Sequence, residues 1–274
     1  MSPEDYPEQE PFSDVARAYH EGCMARRTVE GIEIAYGDDP YQRLNIFPAE
    51  NPDGRVFAFI HGGGWTNGYK EWMDFMAPAF TAQGVTFASL GYRLAPQHLF
   101  PTAIDDLADA LVKLMDVASR YGGDAAKLFV GGHSAGGHYA ALLATRDAWW
   151  QARTLVANPI RACMPVSGVF DFGPDSGLTM RPRLLGPPSD ATDRAASPIV
   201  GGDRFPAFLI AHGDRDFPHL MTQAGRMADH LRSKEAAVTH IVFEDADHFD
   251  ASFAAGDPAQ PFVAAALRFM DEQS

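Results

Sequence analysis

The run Lys127-Leu128-Phe129-Val130-Gly131-Gly132-His133-Ser134-Ala135-Gly136-Gly137-His138-Tyr139-Ala140 sets the architecture. Leu128–Val130 is a short apolar segment that reads as a buried strand, and the Ala-rich segment after Ser134 reads as a helix. Between them stands Gly132-His133-Ser134-Ala135-Gly136, a G-x-S-x-G pattern in the strand–turn–helix context that gives it meaning. A turn this sharp pushes its central residue towards positive φ, a strained state for any residue but glycine. Bulk on either side would clash, which fits Gly132 and Gly136. The turn lifts the Ser134 hydroxyl above the N-terminus of the following helix, where outward-pointing N–H groups can meet a developing negative charge.

Working upstream, Arg55–Ile60 is a continuous apolar strand, the pattern of a sheet covered on both faces. It runs into His61-Gly62-Gly63-Gly64-Trp65. Three glycines after a strand let the backbone approach a bound group closely, and their N–H groups can serve as anion donors. Val85–Leu90 is a further buried strand, Thr28–Ala35 and Arg43–Phe47 are strand candidates, and Lys70–Ala82 is a helix that Pro78 interrupts or restarts. After Pro101 the apolar residues Ile104, Leu107, Leu111, Leu114 and Met115 recur at helical spacing. Residues 13–26 read as a helix capped by Ser13, with Val15, Tyr19 and Met24 apolar, and residues 1–12 as a mobile or draped arm.

Downstream, Ile160–Val166 and Ala207–Ala211 are strands, followed by Ser167-Gly168-Val169-Phe170-Asp171 and His212-Gly213-Asp214-Arg215-Asp216 respectively. A helix near 219–234, the strand Val238–Phe243, a loop Asp245–Phe249 carrying His248, and a closing helix over Phe262–Met270 complete the chain. Residues 172–200, rich in proline and glycine, exclude long regular elements and read as a cap or lid. Strands alternating with helices imply a mostly parallel sheet wrapped on both faces. The expected organisation is an N-terminal arm and helix over 1–26 and one α/β domain over 27–274.

Composition narrows the function. The net charge of −14 argues against a nucleic-acid partner, which would need a basic face. No apolar run approaches the ~18 residues of a membrane span. The acidic N-terminal residues lack the basic and apolar regions of a signal peptide, and Cys23 and Cys163 have no metal-binding spacing. These features give the expectation of a cytoplasmic protein with reduced thiols, no metal and no cofactor; a homodimer is left open.

In an open parallel sheet, reactive groups gather at the carboxyl ends of the strands. The candidate loops come in the order glycine loop, Ser134, Asp214 or Asp216, His248. A serine hydroxyl needs a base to take its proton, histidine does this near neutral pH, and a carboxylate fixes the tautomer of that histidine.

With these residues the chain, over roughly 40–272, resembles an α/β-hydrolase of the branch with an HGGG/HGGxW loop, as in hormone-sensitive-lipase-like esterases and kynurenine formamidases. The resemblance rests on His61–Trp65, Tyr92–Pro96, Gly132–Gly137, Ser197-Pro198, His212–Asp216 and His248, and His138 with Gly168–Asp171 leans towards the formamidases. It implies the α/β-hydrolase fold and a serine hydrolase of small carboxylic esters or amides. Aryl formamides such as N-formylkynurenine are then candidate substrates, with a general short-chain carboxylesterase as the alternative and a non-catalytic ligand-binding relative as the remote one. Carried onto this sequence it makes Ser134 the nucleophile, Asp216 the orienting acid with Asp214 as rival, and His248 the base. Gly63, Gly64 and Ala135 become the oxyanion donors. Trp65 is a pocket wall or a core residue, and His138 a pocket polar group or a helix-packing residue.

Overall fold

The computed structural model describes residues 2–202 and 205–273. Eight strands form one sheet among these residues: β1 (Ile32–Ala35), β2 (Arg43–Phe47), β3 (Gly54–Ile60), β4 (Thr86–Leu90), β5 (Gly123–His133), β6 (Ile160–Val166), β7 (Ala207–Gly213) and β8 (Val238–Phe243). Their spatial order is β1-β2-β4-β3-β5-β6-β7-β8. The pairs β1–β2 and β2–β4 are antiparallel and all the others parallel. β5, which delivers Ser134, is thus a central strand.

The helices are α1 (Asp14–Arg26), α2 (Ala77–Thr81), α3 (Thr102–Val117), α4 (Ala135–Thr145), α5 (Ala148–Ala152), α6 (Arg181–Leu185), α7 (Asp190–Ala196), α8 (Pro218–Ser233), α9 (His248–Gly256) and α10 (Pro261–Glu272). Strand alternation sorts them into two layers. Val56, Ala58 and Ile60 of β3 point to one face, where they join Leu107 and Leu111 of α3, Tyr139 of α4 and Met227 of α8. Phe57 and Phe59 point to the other, among Cys23 of α1, Phe80 of α2, Ala251 of α9 and Phe269 of α10. Both faces are covered, so the parallel strands are almost uniformly apolar.

Several sequence expectations are corrected here. β1 begins only at Ile32; Arg27, the residue after α1, donates from Nε to buried Asp74 at 2.9 Å. Val15 of α1 is 57% exposed, and the helix packs instead through Tyr19 and Cys23. Pro78 does restart the expected helix 70–82, with α2 beginning at Ala77, but the part before it, Lys70–Met76, is a 3₁₀ helix. Pro78 has no N–H to return to the Asp74 carbonyl, so the preceding stretch tightens. Asp245–Phe249 is not all loop, since His248 is the first residue of α9. Asp247 caps that helix, accepting from the Phe249 and Asp250 N–H groups at 2.8 and 2.9 Å.

The segment 172–200 carries only α6, α7 and a 3₁₀ turn at Pro198–Val200. It is pinned to the body from several sides. Arg146 donates to the carbonyls of Val200, Arg194 and Ser197 at 3.1, 2.7 and 2.8 Å. Gln223 of α8 donates to Ser176 O at 2.9 Å and accepts from the Phe170 and Asp171 N–H groups. Arg181 and Asp193 form an ion pair within the segment. Among the described residues no helix is long and apolar enough to cross a membrane.

Candidate active site

Ser134 sits between β5 and α4 at φ 55°, ψ −117°. A side chain held there costs on the order of 1–3 kcal/mol. The turn is fixed by Ser134 N–H donating to Val166 O at 2.9 Å and His138 N–H donating to Ser134 O at 3.0 Å. Close packing leaves no room beside it: a Cβ on Gly136 would lie 2.0 Å from the Ile60 carbonyl oxygen. Ser134 Oγ lies 2.9 Å from His248 Nε2, and His248 Nδ1 lies 2.8 Å from Asp216 Oδ1. Three residues from the ends of β5, β7 and β8 thus form one hydrogen-bonded chain.

Asp216 is only 3% exposed. Burial alone would raise its carboxyl. The bond to and charge of His248, a bond from Ser167 Oγ to Oδ2, and the Phe217 N–H to Oδ1 at 2.7 Å outweigh it. Together they hold the carboxyl well below the usual carboxylate range. Asp214 lies outside this chain, its Oδ1 accepting from the Ala246 N–H at 3.2 Å.

The glycine loop lies beside Ser134: a Cβ on Gly62 would fall 3.1 Å from Ser134 Cβ. Gly63 has φ 116°, and a Cβ there would fall 2.0 Å from the Asn67 carbonyl oxygen, so only glycine fits. Gly64 and Trp65 also have positive φ, 59° and 67°. The Gly63 carbonyl turns inwards to accept from the Thr66 and Asn67 N–H groups. Among the described residues no protein acceptor meets the N–H of Gly63 or Gly64. Ala135 opens α4, so its N–H also has no acceptor one turn back in the helix.

The match of an α/β-hydrolase-fold family model to residues 57–251, well over half of the chain, decides the family. The chain belongs to the α/β-hydrolase fold family. Relatives of this α/β hydrolase include the isoprenylcysteine alpha-carbonyl methylesterase of Arabidopsis thaliana, 25% identical over 87% of this chain and 60% of that protein. Esterase LipC of Mycobacterium tuberculosis is 28% identical over 90% of this chain and 66% of that protein. The kynurenine formamidase of Danio rerio is 25% identical over 80% and 74%. The chain thus spans about 60% and 66% of the first two relatives. Among solved structures, the hyperthermophilic esterase of the archaeon Pyrobaculum calidifontis superposes with a TM-score of 0.77 at 23% identity, covering 94% of this chain and 93% of that one. That likeness carries the fold.

Of the two places open to each, pocket or interior, Trp65 and His138 take the interior in this α/β hydrolase. They are 4% and 0% exposed. The Trp65 indole N–H donates to His138 Nδ1 at 3.0 Å, and His138 Nε2–H donates to Ala196 O at 2.8 Å. Both ring nitrogens of His138 are therefore occupied by protein, which leaves it no free polar atom for a ligand. The pair instead ties the glycine loop to the end of α7. His61 and His133 are also buried. His61 stacks on Tyr92, ring centroids 4.3 Å apart, and His133 Nε2–H donates to His248 O at 2.9 Å. Asp171 caps a turn by accepting from the Gly173 N–H and pairs with Arg226.

Ser167 escaped the sequence reading. A lone serine after a strand carries no motif; a positive φ of 52° and a bond to the Asp216 carboxylate emerge only in the fold. The N-terminal arm was equally silent, although Gln9 and Glu10 bond to Gly68 and Asn67 beside the glycine loop. Among the described residues no three His, Cys, Asp or Glu side chains are grouped to hold a metal ion.

Proposed function

We propose that this chain is a serine hydrolase of small carboxylic esters or amides. The observation that carries the reading is the unbroken chain Ser134 Oγ–His248–Asp216. His248 Nε2 takes the Ser134 proton as Oγ attacks the carbonyl carbon of the substrate, and Asp216 stabilises the imidazolium and fixes its tautomer. The oxyanion of the tetrahedral intermediate is met by the N–H groups of Gly63, Gly64 and Ala135. As the intermediate collapses, His248 returns the proton to the leaving oxygen or nitrogen, and an acyl-serine remains. Water, deprotonated by His248, attacks it; the acyl–Oγ bond then breaks, His248 returns the proton to Ser134 Oγ, and the carboxylic acid leaves.

A compact acyl side fits the pinned segment 172–200. A Cβ on Gly64 would stand 3.5 Å from the Met180 methyl, so the segment reaches over the glycine loop. Formyl and acetyl groups suit such a space better than long chains. Similarity to a kynurenine formamidase keeps aryl formamides in view beside simple esters.

The test is labelling plus turnover. A fluorophosphonate should add one covalent mass at Ser134, and Ser134→Ala should abolish labelling and lower kcat by about 10⁴–10⁶. Undiminished turnover in the alanine variant would sink the assignment. A series of p-nitrophenyl esters from acetate to laurate, run with N-formylkynurenine, reads the acyl side. A rate that climbs with chain length would reject the compact acyl pocket.

A further inference from the structure

Asp216 and His248 are nearly enclosed, but the residue after Asp216 is not. Phe217 is 48% exposed, and its ring lies 4.8 Å, centroid to centroid, from the His248 ring at an angle of 40°. His219 lies almost parallel to Phe217, at 5.9 Å and 14°. Among the described residues, the other large exposed apolar side chains are Val15, Val29, Ile32, Leu99, Val156 and Val242. Phe217 is the one among them with its ring against the base. Segment 172–200 packs against His219: a Cβ on Gly177 would fall 2.7 Å from His219 Cβ.

The chemistry says what must occupy the space in front of that ring. His248 Nε2 delivers its proton to the leaving atom only within hydrogen-bond reach, roughly 2.6–3.2 Å. The groups carried by the leaving atom then lie within reach of Phe217. Offset or tilted aromatic pairs with centroids about 4.5–7 Å apart are favourable beyond the area they bury. We infer that Phe217, backed by His219, is the leaving-group wall, and that it selects esters or amides whose leaving group presents an aromatic face.

The inference rests on the triad reading and deepens it. It moves the aromatic wall away from Trp65, which is enclosed and bonded to His138. Phe217 also holds Asp216 through its backbone N–H, which a side-chain substitution retains.

Phenyl acetate and trifluoroethyl acetate pass through the same acetyl-enzyme and differ only in the leaving group. In Phe217→Ala the phenyl-to-trifluoroethyl ratio of kcat/KM should fall about tenfold, and in Phe217→Leu, which keeps apolar bulk without the ring, about threefold. Because deacylation is common to both esters, the loss should appear in kcat/KM and not in a deacylation-limited kcat. Fluorophosphonate labelling of Ser134 confirms that each variant is folded, and if the alanine variant does not label, the leucine variant decides. A ratio within twofold of the parent in the folded alanine variant, or in the leucine variant where that one decides, overturns the inference and leaves the hydrolase reading standing. A parent protein that neither labels nor turns over either ester overturns both.

Discussion

Ser167 donates its hydroxyl hydrogen to Asp216 Oδ2, the carboxylate oxygen that does not face His248. Both residues are buried, at 1% and 3% exposure, and Ser167 is held at φ 52° by the bond from its N–H to Ala211 O at 2.8 Å. The carboxylate is thereby gripped on both oxygens, so its plane is fixed with respect to the imidazole.

Removing that grip should be felt in the chemistry. In Ser167→Ala the carboxylate loses a charge-assisted bond, of a kind worth about 1.5–3 kcal/mol. Asp216 becomes easier to protonate and freer to turn. On an ester with rate-limiting acylation, kcat should fall about tenfold with KM little changed. Parent-like kcat in the alanine variant would remove Ser167 from the machinery.

What was legible in the sequence was what neighbouring residues fix. Gly132 and Gly136 flank Ser134 within five residues, and Gly62–Gly64 follow one strand directly, so turn and loop declare themselves. The strands β3 and β7 announce their burial by the unbroken apolar runs Val56–Ile60 and Ala207–Ala211. Long-range pairings gave no such signal. Trp65 and His138 are 73 residues apart, and their bond fixes both as enclosed residues where the sequence left each open between a pocket and a packing role. Ser167 and Asp216 are 49 residues apart. The helix α9 did have a local sign, Asp247 and Asp250 around His248, which closes as a capping box. The mostly polar stretch 244–248 masks it by reading as loop.

The Trp65–His138 bond should couple stability to turnover. Trp65→Phe keeps the ring in place but removes the donor and leaves His138 Nδ1 buried without a partner. An unsatisfied buried polar group costs roughly 1–3 kcal/mol. Chemical denaturation should read a loss of that size. Because Trp65 is the residue after Gly64, kcat should also drop several-fold. A variant as stable and as fast as the parent would mean that the bond holds nothing.

Acid should destabilise the protein well above the carboxylate range. Burial holds three histidines neutral: His61 is lowered to about 4, and His133 and His138 to about 3. In the unfolded chain each titrates near 6.5. The unfolded state therefore binds protons first, and stability is lost as pH falls from about 6.5 towards 4. Asp74 acts in the opposite sense, since burial pushes its carboxyl up to about 7 and the folded state then holds its proton. Burial also lowers His20, His219, His230 and His240, which add in the same sense as the first three, so the net uptake on unfolding is at least about two protons, or roughly 2.7 kcal/mol per pH unit or more at the steepest point. Denaturation curves from pH 7.5 to 4.5 give that slope directly. A flat profile across this window would mean that the buried histidines are already charged in the folded state.

The N-terminal arm should act on the glycine loop from behind. Gln9 Oε1 accepts from the Gly68 N–H at 2.8 Å, and Gln9 Nε2 donates to Gly68 O and to Tyr41 Oη, each at 2.9 Å. Asn67 donates to the Glu10 carbonyl, and the Glu10 carboxylate pairs with Arg183 of α6. Asn67 in turn donates its backbone N–H to Gly63 O at 3.0 Å. The arm thus braces Gly63 through Asn67 and Gly68, and touches the cap through Arg183. Loop donors stabilise an oxyanion only if they are held in place before it forms. Gln9→Ala should accordingly lower kcat by several-fold to tenfold on an activated acetate ester. Glu10→Ala removes an ion pair whose two side chains are only partly enclosed, at 33% and 40% exposure, and should change kcat less than twofold. A loss confined to KM in Gln9→Ala, with kcat intact, would show that the arm shapes substrate access and does not brace the loop.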